Sequence, residues 1–70
     1  MSVRVTINGE AHELPAGATV ASVVSEMAPA GEGRGVAVAL DGAVLPRAQW
    51  QSTAVDEGAS LELVVAVQGG

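Results

Sequence analysis

Helical periodicity occurs in one stretch of this chain. Val20, Val23, Val24 and Met27 recur at i, i+3, i+4 and i+7, a single apolar stripe. Thr19 before it suits a helix N-cap, and Pro29 after it is a stop. Valine is a mediocre helix former, so tertiary burial must hold this helix. The other patterned segments read as strands, and one helix covers only one face of a sheet. The chain is therefore expected to build a two-layer α+β domain.

The strands are marked by alternation and by turns. Val3-Arg4-Val5-Thr6-Ile7 alternates apolar and polar, as a half-buried strand does. Asn8-Gly9 follows, and a type I′ hairpin turn requires positive φ at both central positions. Glu10 to Leu14 returns as a less apolar strand, suited to a sheet edge. Residues 29–35 are rich in glycine and read as a connector. Val36 to Leu40 is a third strand, Asp41-Gly42 a second hairpin turn, and Ala43 to Leu45 a short fourth strand ended by Pro46. Residues 47–55 are irregular with a short helical turn, and Trp50 and Val55 are expected to point inward. Leu61 to Val67 is the longest apolar run and the best central strand. The first and last strands are both apolar enough to be central neighbours. A β-grasp arrangement meets these conditions: a mixed sheet of about five strands wrapped around one helix. Residues 1–67 are expected to form this single ubiquitin-like domain, and residues 68–70 a flexible tail.

Seventy residues suffice for one small domain. Three basic residues against eight acidic ones leave a net charge of −5. That argues against nucleic acid, which needs a basic stripe to displace counterions, and against an anionic membrane surface. No run has the length of a membrane span and no signal segment opens the chain, so a cytoplasmic protein is expected. Cysteine is absent, which excludes disulfides, thiolate metal sites and a cysteine nucleophile. Trp50 is the sole aromatic residue, so the core must otherwise be Val, Leu, Ile and Ala.

Little here resembles an active site. His12 lies near Glu10 and Glu13 on an edge strand, and a solvated edge accounts for it better than a metal or acid–base site. A structural zinc would need more ligands than this one histidine supplies. Ser22 and Ser25 lie off the helix stripe with no histidine at a fixed spacing. Gly31-Glu32-Gly33-Arg34-Gly35 has the glycine density of a phosphate loop, but it lacks the Lys-Ser/Thr pair and follows a helix instead of opening one. The acidic residues are not spaced as a calcium loop requires. The chain is expected not to be an enzyme and to bind no metal.

What remains is Val67-Gln68-Gly69-Gly70. A terminal carboxylate becomes an acyl donor once adenylated, and a slim tail can thread a partner's narrow channel. Glycine has no Cβ to clash there. The expectation is that the carboxylate of Gly70 is the reactive group, that Gln68 and Gly69 thread partner active sites, and that the preceding strand anchors them.

Over essentially its whole length the chain resembles the ThiS-type sulfur carriers of thiamin biosynthesis. The residues that carry the likeness are Asn8-Gly9-Glu10, Ala18-Thr19-Val20, Val36 to Leu40 with Asp41-Gly42, Val44-Leu45-Pro46-Arg47 with Trp50, Asp56-Glu57-Gly58 and Val67-Gln68-Gly69-Gly70. The resemblance implies that a ThiF-like adenylating enzyme activates Gly70 with ATP and magnesium. A persulfide donor then leaves a thiocarboxylate, and a ThiG-like thiazole synthase takes its sulfur. The carrier itself binds no cofactor and is a monomer when free. Alternatives are a MoaD-like carrier for molybdopterin or another sulfur-transfer pathway, and a β-grasp interaction module.

Strand alternation also suggests where partners dock. If Leu61, Leu63, Val65, Val38 and Leu40 face the helix, then Ala37, Ala39, Val64 and Ala66 share the opposite face as a flat patch of small side chains. Arg4, Arg47 and Glu62 are expected to rim it, and both partners to dock on it in turn.

Overall fold

A computed structural model of the chain describes residues 1–27 and 35–65. Its elements run β1 (Ser2–Ile7), β2 (Glu10–Pro15), α1 (Val20–Met27), β3 (Val36–Leu40), β4 (Ala43–Val44), a 3-10 turn (Arg47–Gln49) and β5 (Ser60–Val65). The five strands make one sheet in the order β2-β1-β5-β3-β4. β1 and β5 are parallel neighbours, and the other pairings are antiparallel, so the sheet is mixed. β5 is central and β2 is an edge, as the sequence leads one to expect.

Both hairpins turn where positive φ is tolerated. Asn8 and Gly9 have φ of 53° and 83°, and Asp41 and Gly42 have 50° and 86°, the backbone of a type I′ turn. These two-residue turns fix the register of their hairpins, Ile7 opposite Glu10 and Leu40 opposite Ala43. Each turn also grips β5 with a side chain. The Ser60 N–H donates to Asp41 Oδ1 and the Leu63 N–H to Asn8 Oδ1, both at 2.9 Å.

The helix starts with every first-turn amide engaged. The Val20 and Ala21 N–H groups donate to the carbonyls of Thr53 (2.9 Å) and Trp50 (3.1 Å). The Ser22 N–H donates to Thr19 Oγ1 at 3.2 Å, and the Thr19 N–H returns to Ser22 Oγ at 3.1 Å. This is a reciprocal capping box with serine at its third position. The Val23 N–H closes the first intrahelical bond to Thr19 O at 3.1 Å. Val20, Val23 and Val24 are buried, while Met27, the expected last member of the stripe, is 43% exposed.

One core lies between helix and sheet. It joins Val5, Ile7, Val38, Leu61 and Leu63 from the strands to the three helix valines, with Trp50, Val55 and Ala59 from the irregular segments. Among the described residues no polar or charged residue is buried. The connector through Pro29 and residues 31–34, the expected end of the last strand at Val67, and the 68–70 tail lie outside the described residues.

Candidate functional site

The sheet has one face toward the helix and one away from it. On β5, Leu61 and Leu63 are buried, whereas Glu62 and Val64 are exposed. β3 pairs with β5 so that Ala37 stands opposite Val64 and Ala39 opposite Glu62. β4 extends the row, because Ala39 also stands opposite Val44. Val64 is 64% exposed and Val44 79%. The outward face therefore carries an apolar strip, Val64-Ala37-Ala39-Val44, whose small side chains allow close approach of a partner. Ala66, the other expected member, lies outside the described residues. Val44 was not among the expected members. The signal for it was available, since a two-residue turn at Asp41-Gly42 forces Val44 opposite Ala39.

The three expected rim residues do not stand together. Glu62 borders the strip, beside Ala39 and between Ser60 and Val64 on one strand face. Arg4 shares this outward face but at the other end of the sheet. Thr6 pairs with Ser60, and Arg4 precedes Thr6 by two residues. Arg4 is thus about six strand residues, roughly 20 Å, from the level of Val64. Its N–H is held by Glu57 Oε1 at 2.9 Å and its carbonyl accepts from Gly58 at 2.8 Å. Arg47 opens the 3-10 turn, off the strands, with its guanidinium 6.0 Å from the Trp50 ring centroid. Parallel register is set by no turn, so the distance of Arg4 from the strip is not visible in the sequence.

Trp50 is buried as expected, at 5% exposure. Its indole N–H donates to Leu45 O at 3.1 Å. This bond ties the 3-10 turn back to the residue that follows β4, and the Trp50 carbonyl ties the same segment to the helix start. The ring is a structural anchor, and its burial leaves no face on which a nucleotide could stack.

The other candidates fall away on geometry. His12 Nε2 is 3.8 Å from Glu10 Oε1 on the edge strand, and among the described residues no group of three ligating side chains converges on a metal position. Ser22 is occupied by the capping box and Ser25 is exposed. The first-turn amides of the helix are already bonded, which closes the usual anion site. A shallow depression at the β3–β4 turn is lined by Asp41, Asp56 and Glu57. Asp41 and Glu57 there already accept backbone N–H groups, from Ser60 and Arg4. Among the described residues no helix is long and apolar enough to cross a membrane.

Among the described residues, the distinctive surface feature is thus the exposed apolar strip across β5, β3 and β4. A family model, that of the ThiS family, matches residues 5–70. A similar solved structure is the crystal structure of a thiamine biosynthesis protein, ThiS, from Geobacter metallireducens, with a TM-score of 0.78 and 26% identity. The match covers 97% of this chain and 100% of that one. A search of curated proteins finds no match.

Proposed function

Because this chain belongs to the ThiS family, small sulfur carriers of thiamin biosynthesis that are not themselves catalysts, we propose that the carboxylate of Gly70 is the group that carries the sulfur. Proteins of this family interact with an activating enzyme and a thiazole synthase. In our reading a ThiF-like enzyme binds ATP and magnesium, and a Gly70 carboxylate oxygen attacks the α-phosphorus while pyrophosphate leaves. The terminal sulfur of a donor persulfide then attacks the acyl carbon and expels AMP. A second thiol attacks the donor-side sulfur of this acyl disulfide, forms a disulfide with the donor and leaves the Gly70 thiocarboxylate. A ThiG-like thiazole synthase takes that sulfur. The cycle is set in the cytoplasm, where ATP and reducing thiols are at hand.

The observation that carries this reading is the family match running through Gly69 and Gly70 to residue 70. The docking face supports it: Val64 and Ala37 give a partner a close-approach surface on the strand that leads to the tail. Gln68 and Gly69 thread the partner's channel, where a Cβ would obstruct the path that keeps water from the acyl adenylate.

The test mixes the carrier with its activating enzyme, ATP and a sulfur donor, and reads intact mass. A sulfur-for-oxygen increase that maps to Gly70 is expected. Deleting Gly70, or appending one residue, should abolish the increase and leave stability within about 0.5 kcal/mol. An increase that maps elsewhere, or that survives extension, would refute the reading.

A further inference from the structure

β5 is flanked on both sides for only part of its length. Its odd-numbered residues direct their backbone groups toward β1: the carbonyls of Ala59 and Leu61 accept from the Thr6 and Asn8 N–H groups, each at 2.9 Å. β1 then ends at Ile7 and turns away, and the ladder on that side finishes with the Asn8 side chain on the Leu63 N–H. β5 continues to Val65, where β3 still pairs with it through Val36. By the alternation of a strand, the Leu63 carbonyl and the Val65 N–H point to the β1 side. No described strand lies alongside them there.

We propose that an extended segment of the adenylating partner adds to this edge as a short strand, donating to the Leu63 carbonyl and accepting from the Val65 N–H. The inference rests on the functional reading above, because it takes that partner as the occupant. Three features favour it. The edge is continuous with the outward strip, since Val64 lies between the two groups. Five further residues lead from Val65 to Gly70, so a partner receiving Gly70 must lie along this stretch. A second copy is a poor occupant, because each chain carries a net charge of −5 and the described part of the edge is short. Main-chain bonding of this kind gives affinity without demanding particular side chains, whereas Glu62 and Val64 supply the recognition.

Amide exchange of the wild-type carrier, free and with the enzyme, reads the edge directly. The Val65 amide should exchange quickly in the free monomer and slow at least about tenfold in the complex, the scale of one hydrogen bond. Val65→Pro removes only an N–H that points away from β3, so the sheet should persist while affinity for the enzyme falls about tenfold. Val65→Ala keeps the N–H and should bind nearly as the wild type does. A Val65 amide already slow in the free monomer would assign the edge to the chain itself, and one slowed only at high carrier concentration would assign it to a second copy. Either result overturns strand addition, as does an unchanged Val65 amide in a complex that still yields the thiocarboxylate. Failure of the wild type to gain sulfur at all would instead overturn the functional reading.

Discussion

The Asn8 side chain accepts the Leu63 N–H at 2.9 Å across 55 positions of sequence. It fills the ladder position that β1 gives up by turning at Asn8-Gly9, and it does so from a backbone with φ of 53°, which few residues other than glycine and asparagine adopt. Replacing Asn8 by Gly keeps the turn and deletes the acceptor. Urea denaturation should register a loss of about 1–2 kcal/mol, the cost of an unsatisfied N–H at a mostly buried strand position. Asn8→Asp, which restores an acceptor oxygen, should recover most of it.

Trp50 separates volume from hydrogen bonding. Trp50→Ala should cost about 3–5 kcal/mol by cavity formation. Trp50→Phe keeps much of the volume and loses only the donor to Leu45 O, for about 1 kcal/mol. If both variants melt near wild type, the ring is not the anchor described.

Ser22 belongs to the helix cap and not to the chemistry. Ser22→Ala should lower stability by about 0.5–1 kcal/mol and Thr19→Ala by about 1 kcal/mol. Sulfur transfer, followed by intact mass on the folded variants, should be unchanged in Ser22→Ala, and also in Ser25→Ala and His12→Ala.

The outward strip is tested by charge. Val64→Glu and Val44→Asp alter exposed side chains and should shift stability by no more than about 0.5 kcal/mol. A carboxylate forced into a close-packed contact without a partner is strongly penalised. Calorimetric titration with the activating enzyme should therefore lose its binding signal for Val64→Glu, opposite Ala37, and weaken for Val44→Asp at the strip's outer end. Wild-type affinity in both would remove the strip from the interface.

How much of this was legible depends on the range of the interaction. The helix, both hairpins and the inward Leu61 and Leu63 of β5 follow from local patterns, because alternation and two-residue turns act over a few residues. That Ala37 and Val64 share the outward face needed only the correct alternation of two strands. What was hidden is long-range. Carbonyls of Thr53 and Trp50 cap a helix some thirty residues earlier, Asn8 reaches Leu63, and the β1–β5 register carries Arg4 away from the strip. No turn connects those partners, so no spacing in the chain encodes them.

The parallel placement of β1 against β5 has a mechanical side. Tension applied beyond Val65, as when the following residues are drawn into another protein, acts along the strand axis. It therefore loads the bonds to β1, to β3 and to the Asn8 and Asp41 side chains together in shear, instead of peeling them one at a time. A strand tied in this way resists a pull along its own axis, and on the proposed reading it is the strand through which such a pull would reach the fold.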